Sequence, residues 1–435
     1  MKDWKPEQLN KEQVRAMASD YGIPAIVAML LSIRGVDTYE EVQGFLYDND
    51  ELEDPFLMID MDKATDRIFK ALEDNESICV YGDYDADGVT STALLYDYLS
   101  SLGARASYYI PSREAEGYGM NNGAVDKIAE KGITLIITVD NGVSAAEQIE
   151  YAKTLGIDTV VTDHHTPPEK LPDAVAVVNP HRADCMSEFK HLSGVGVAFK
   201  LIMALEDQHL DIEKLLNKYS DIAALGTIGD IVSLTGENRV LVKNGLNAIK
   251  NLQRKGISAL LDTAGIKGSN KLTAGRLAFT VVPRINACGR LELSEKSVEL
   301  LLTEDDAVSR EISQQLSEDN KIRQQIERDI LSQVLLYIEQ NPSIKYKRVM
   351  VISGEGWHQG VIGIVASRVK DIYGKPVIII TTEGGSAKGS GRSIEGFSLI
   401  DAITSCSDLL PHFGGHPMAA AEVFHGISFG NIDFF

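Results

Sequence analysis

Five short runs rich in Val, Ile, Thr and aromatic residues, at 78–82, 106–110, 134–139, 159–162 and 175–178, alternate with helical stretches at 90–102, 123–131 and 145–155. No other feature constrains the chain as much. β-runs joined by helix-length crossovers pair in parallel, and a parallel sheet needs helices on both faces. The expected fold class is therefore α/β, a doubly wound, mostly parallel sheet.

The flanking sequence has a different texture. Residues 1–75 read as a helical cap carrying 17 acidic and 8 basic side chains, and 195–265 read as mainly helical. A polar helix is expected over 307–340, with Ile312, Leu316, Ile322, Ile326, Ile330 and Val334 as an intermittent apolar stripe. Asn341-Pro342 ends it, and a second β-rich pattern follows: 348–352, 377–381 and a glycine-rich strand or loop at 386–393, with a helix at 361–373. The 435 residues suffice for several cores. The expected division is a cap at 1–75, a catalytic domain at 76–303, a connecting helix at 304–341 and a smaller α/β domain at 342–435.

A formal net charge of −21 argues against nonspecific coating of duplex DNA. It leaves room for a local anion site, and residues 341–435, with 8 basic and 8 acidic side chains, are the expected place for one. Cys79, Cys185, Cys288 and Cys406 form no CxxC pair, which removes zinc-ribbon and thioredoxin readings and fits a reducing compartment. With no apolar leader and no apolar run of about 18 residues, the expectation is a soluble, cytoplasmic protein with no membrane contact.

The chemistry collects at the ends of the expected strands. The first runs into Gly82-Asp83-Tyr84-Asp85-Ala86-Asp87-Gly88, the third into Asp140-Asn141-Gly142 and the fourth into Asp163-His164-His165. In an open α/β sheet the carboxyl ends of parallel strands border one crevice, so the three segments are expected to converge. A single Asp at a strand end is usually a helix cap or turn residue. Three clusters of like charge are different, because they repel unless a cation sits among them. Carboxylates with imidazole and no thiolate suit Mn²⁺, with Mg²⁺ the alternative, and several Asp around two His can hold two ions. Paired ions polarise a phosphoryl group and activate water. No P-loop, dinucleotide fingerprint or nucleophile elbow occurs, which disfavours kinase, dehydrogenase and serine-hydrolase chemistry.

At this point the chain resembles the DHH phosphoesterase superfamily, and within it the RecJ single-stranded-DNA exonucleases. The residues that carry the likeness are DYDADG at 83–88, DNG at 140–142, DHH at 163–165, GVGVAFK at 194–200, GTIGDIVSL at 226–234, NACGRL at 286–291 and GGHPMAA at 414–420, all in the family's order. The resemblance implies that Asp85 and Asp140 hold one ion and that Asp87, Asp140, His164 and Asp230 hold the other, with Asp140 bridging. It implies that His165 contacts the scissile phosphate and that Asp83 and Asp163 orient the ligands. Spacing alone does not single out Asp230.

The C-terminal module is similar to a DHHA1 domain. Lys388 and Arg392, in a stretch of small residues, suit a phosphate, and a β-bend with a solvated Arg is the alternative. Gly414, Gly415 and His416, with His412, are further expected strand contacts, as are Arg290 and Arg113. The implied activity is 5′ to 3′ degradation of single-stranded DNA to mononucleotides in repair and recombination, with a single-stranded-DNA-binding protein or a helicase as partner. The alternatives are a phosphodiesterase for short oligoribonucleotides or cyclic dinucleotides, and an inactive scaffold. The sequence stops 19 residues after His416, so no OB-type stacking groove is expected within it.

Overall fold

The computed structural model describes residues 9–47, 51–112, 116, 119–251, 254–268, 272–290, 294–383, 386–407, 410 and 412–425. The chain divides into two compact units. The first takes in Met1–Pro111, Glu116–Ile285 and Ser294–Ser313, and the second Ser112–Ala115, Asn286–Leu293 and Gln314–Phe435.

The first unit opens with α1 (Lys11–Asp20), α2 (Ala25–Ser32) and α3 (Tyr39–Tyr47), which bury Val14, Met17, Ala28, Leu31 and Val42 in a small core of their own. Helix α4 (Met61–Glu73) leads into the sheet. There β1 (Ser77–Tyr81), β2 (Arg105–Tyr109), β3 (Leu135–Val139), β4 (Asp158–Thr162) and β5 (Ala176–Val178) lie in the order β2-β1-β3-β4-β5, every pair parallel. The crossovers are α5 (Ala86–Ser101), α6 (Asn122–Glu130) and α7 (Ala146–Thr154).

Side chains alternate across the sheet, and both faces are covered. Ile78, Val80, Leu135, Ile137 and Val160 pack in one cluster with Leu94, Leu95 and Leu99 of α5, while Cys79, Tyr81, Ile136 and Val161 join Val125, Ile128 and Ile149 of α6 and α7. Burial on both sides is why these strands read as continuous apolar runs. The strand order reverses between β1 and β3, the place where such sheets open a crevice at their carboxyl ends.

The helical remainder comprises α8 (Gly194–Glu206), α9 (Ile212–Gly229), α10 (Gly236–Lys250), α11 (Lys255–Thr263), α12 (Ala274–Thr280), α13 (Val282–Arg290) and α14 (Ser294–Leu302). Lys200 of α8 and Glu237 of α10 form a fully buried ion pair at 2.7 Å. Lys200 also donates to the carbonyl of Glu53, so an otherwise costly buried charge ties three segments together.

Helix α15 (Asp306–Gln340) has 35 residues and runs from one unit into the other. Its expected apolar stripe needs a correction: Ile312, Leu316, Ile330 and Val334 are buried, but Ile322 is 45% exposed. Polar residues turn inward instead, among them Ser313, Asn320, Arg323 and Glu327. Arg323 donates to Asn320 and to Glu327 at 2.6 Å, and Glu327 also pairs with Arg368. A helix that satisfies its inward polar groups this way does not show a clean 3.6-residue apolar pattern.

In the second unit β6 (Met350–Glu355), α16 (Gln359–Tyr373), β7 (Val377–Glu383), β8 (Ser386–Arg392), α17 (Leu399–Thr404), β9 (His412–His416) and β10 (Ala419–His425) build a sheet in the order β6-β7-β8-β10-β9. Only β6 and β7 pair in parallel. Ile330, Val334 and Ile338 of α15 pack with α16 on one face, and Leu399 and Ile403 of α17 on the other. The glycine-rich stretch at 386–393 is a strand through residue 392. The hairpin β9–β10 was not expected at all, because His-Phe-Gly-Gly-His has little strand propensity of its own. Among the described residues no single helix is long and apolar enough to cross a membrane.

Candidate metal centre

The crevice at the β1/β3 switch point collects the acidic and histidine residues. Asp85 is the N-cap of α5: one carboxylate oxygen accepts from the N–H groups of Asp87 and Gly88 at 2.9 and 3.1 Å. Asp87, 1% exposed, is held by the first turn of α8, with Gly194 N–H donating to Oδ2 at 2.6 Å and Val195 N–H to Oδ1 at 2.9 Å.

Asp140 follows β3 with φ +62°, a left-handed conformation that Asp tolerates better than most residues. The next residue, Asn141, donates its amide to the carbonyls of Tyr81 and Val139 and so laces the end of β1 to the end of β3. Gly194 is required by close approach. A Cβ there would lie 2.5 Å from the Asp140 Cβ and 2.6 Å from its Oδ1.

After β4, Asp163 accepts the N–H groups of His164 and His165 and the His165 ring Nδ1 on one oxygen, and Val143 N–H on the other. It is fully engaged in aiming its neighbours. His164 places Nε2 3.0 Å from Asp140 Oδ1 and Nδ1 3.7 Å from Asp230 Oδ2. Asp230 is the C-cap of α9. The site residue that spacing could not find is thus supplied by a helix that ends beside the sheet.

The donor atoms form three groups, each within 4.8 Å: Asp83, Asp85 and Asp140; Asp87, His164 and Asp230; and Asp140, His164 and His165. The first group makes Asp83 available as a ligand in its own right. Two atoms have the dimensions of a cation site. Asp140 Oδ1 and His164 Nε2 are buried without a hydrogen-bond partner, and two ligand atoms at right angles about 2.1 Å from one cation lie about 3.0 Å apart. Their 3.0 Å separation has that dimension.

The electrostatics agree. Burial, and then the neighbouring carboxylates, push Asp87 and Asp140 well above the usual carboxylate range, and the same causes push Asp230 up to about 7. Burial and then the charge of His165 push His164 down to about 4, which leaves it neutral and able to donate a lone pair. Burial alone would lower His165 as well, but the hydrogen bond and charge of Asp163 override it and push it up to about 9. A cluster that crowds carboxylates around a neutral imidazole has the charge a divalent cation balances.

One residue at the rim is strained. Ile231, next after Asp230, has φ +62° and is 87% exposed. For a β-branched residue that conformation is an outlier and costs on the order of 1–3 kcal/mol. Sequence reasoning passed over it, and over the backbone grip of Gly194 and Val195 on Asp87; Ser193-Gly194-Val195-Gly196 at a helix start was the only available sign of the second.

In the second unit Arg392 donates to Ser390 Oγ and to the Gly391 carbonyl, and Gly363 of α16 lies so close that a Cβ would stand 2.8 Å from Ser390 Oγ and 3.0 Å from Arg392 Nη2. Lys388 shares strand β8 with them. Gly415 has φ +148°, and its missing Cβ makes room for the Ala419 carbonyl, whereas Gly414 borders open space. Arg113 lies outside the described residues, as do the side chains of Arg290, His412 and His416. Trp357 is nearly buried and donates to Gln333.

Two family models match the chain, the DHH family, N-terminal domain, over residues 77–227 and the DHHA1 domain over 341–426. Among curated proteins it is similar to the single-stranded-DNA-specific exonuclease RecJ of Bacillus subtilis, 42% identical over 96% of this chain and 52% of the relative. It is also similar to that of Escherichia coli, 37% identical over 92% of this chain and 71% of the relative. The chain thus spans about half the length of the Bacillus protein. Among solved structures, Thermus thermophilus RecJ in complex with Mn²⁺ is similar with a TM-score of 0.81 and 32% identity, over 96% of this chain and 59% of that one. The same protein has a crystal structure in complex with Mg²⁺, TM-score 0.73. With both domain models in order and relatives this similar, the chain belongs to the RecJ family of DHH-domain proteins.

Proposed function

We propose that this chain is a metal-dependent exonuclease that degrades single-stranded DNA from the 5′ end to mononucleotides by phosphodiester hydrolysis. The observation that carries the reading is the buried, unpartnered pair Asp140 Oδ1 and His164 Nε2 at 3.0 Å. Asp83, Asp85 and Asp140 would hold one divalent ion, and Asp87, Asp140, His164 and Asp230 the other, Mn²⁺ by preference and Mg²⁺ as substitute. When bound, the ions supply Lewis acidity and an activated water.

The protein does the rest. Asp163 holds His165 protonated and aimed by its ring nitrogen, so that His165 presents an N–H to a phosphate oxygen. The first turn of α8 holds the Asp87 carboxylate, so its geometry needs no adjustment when the substrate arrives. Lys388 and Arg392 of the second unit would bind the strand, with Arg113, Arg290, His412, Gly414, Gly415 and His416 as further contacts. The partner that delivers the strand would be a single-stranded-DNA-binding protein or a helicase, and the compartment the cytoplasm.

The test is digestion with Mn²⁺, with and without EDTA, of DNA strands labelled at either end, set beside RNA of a few nucleotides. Loss of the 5′ label as mononucleotide, abolished by EDTA and by Asp140→Ala, is expected. Preferential turnover of the short RNA would favour the small-substrate phosphodiesterase. An active Asp140→Ala protein would refute the site.

A further inference from the structure

We infer that Ile231 is a binding residue of this site, the apolar surface on which the base of the attacked terminal nucleotide rests. The inference depends on the nuclease reading above. Ile231 is joined by one peptide bond to Asp230, so its Cα lies about 3.8 Å from that of a candidate ligand. Its side chain is 87% exposed, and its backbone is left-handed at φ +62°. The fold gains almost nothing from the side chain, and Asn or Gly would adopt the backbone more readily.

The turn that carries Ile231 is tied down two residues further on. Asn238, completely buried, donates its amide to the carbonyls of Ser233 at 3.0 Å and His191 at 2.5 Å. The turn between α9 and α10 is thereby anchored at Ser233, and Ile231 in it stands outward. A strained position whose side chain the fold does not use points to a ligand.

The chemistry of that ligand follows from what lies beside it. Carboxylates and imidazoles take the cations and the phosphate, while the non-ionic parts of a nucleotide extend away from the phosphate. An aliphatic side chain there suits the face of a base. Such a contact does not depend on base identity, because every base has an apolar face.

The test compares the wild type with Ile231→Asn, which suits a left-handed backbone but lacks the apolar surface, and with Ile231→Leu, which keeps that surface. Each is assayed with Mn²⁺ on strands whose attacked terminal nucleotide is either normal or an abasic analogue, and for binding of a short labelled strand by fluorescence anisotropy with Ca²⁺. For the wild type, KM is expected to be on the order of tenfold lower on the normal strand. Ile231→Asn should raise KM and Kd on the normal strand by a similar factor and erase the difference between strands, with Tm unchanged or raised. Ile231→Leu should retain both. An Asn variant with wild-type KM, Kd and normal-to-abasic ratio overturns the inference and leaves the nuclease reading intact, and so does one that loses Tm with the ratio kept. A wild-type protein that digests neither strand overturns the nuclease reading, and this inference with it.

Discussion

Gly194 donates its backbone N–H to Asp87 at 2.6 Å while its Cα lies against Asp140, where a Cβ would sit 2.5 Å from the Asp140 Cβ. One residue from the start of α8 therefore sets both carboxylates that β1 and β3 bring to the crevice. Gly194→Ala is expected to keep the fold by circular dichroism and to lose about 10- to 100-fold in Mn²⁺ affinity, because it moves groups that aim the ligands. Isothermal titration would measure it, and wild-type affinity would show that Asp140 is free to give way.

Asp85 has two separable duties. One oxygen caps α5, and the carboxylate also belongs to the cluster of donor atoms. Asp85→Asn keeps a capping oxygen, so Tm should hold while exonuclease activity falls by about 100-fold or more. Asp85→Ala should lose the activity and, in addition, about 1 kcal/mol of stability. Urea denaturation beside the activity assay separates the two, and equal stability of both variants would contradict the capping role.

Metal binding and pH are linked through the crowded carboxylates. In the metal-free protein Asp87, Asp140 and Asp230 titrate above their unfolded values, so their contribution to stability is fully present below about pH 4 and is lost as pH rises, for Asp230 through about 7. A cation takes the place of those protons. The rise in Tm on adding Mn²⁺ is therefore expected to be larger near pH 8 than near pH 5.5. Calorimetry at the two pH values decides it, and an increment that does not change with pH would contradict it.

Asp163 controls the charge of His165. The folded His165 titrates near 9, so its protonated form stabilises the protein fully below the unfolded value of about 6.5, and this is lost as pH rises through about 9. Asp163→Asn should lower the His165 titration toward the free-imidazole value of about 6.5 and carry the alkaline limb of the pH–rate profile with it. An NMR titration of the ring and the rate profile would show both, and a limb that stays near pH 9 would assign it to another group.

Much of this arrangement is legible in the sequence. The β-branched runs between 78 and 178 mark buried parallel strands, and the acids and histidines after three of them converge because strand ends do. Asp230 is not legible in that way, since it reaches the site from the end of α9, and only the likeness of GTIGDIVSL to a known segment marks it. The hairpin β9–β10 escapes because its glycines serve backbone packing, as Gly415 does beside Ala419. The inward face of α15 escapes because Asn320, Arg323 and Glu327 satisfy one another, and polarity alone reads as solvent exposure.

The lacing of β1 to β3 by Asn141 has a consequence for ion choice. Neighbouring strands stand about 4.8 Å apart in any sheet, so the interval between the strand ends that carry the carboxylates is inherited from backbone geometry. Discrimination between cations of different radius is left to the swivel of individual carboxylates. Of these Asp87 has the least freedom, and Asp230, at a helix end and more open to water, has more.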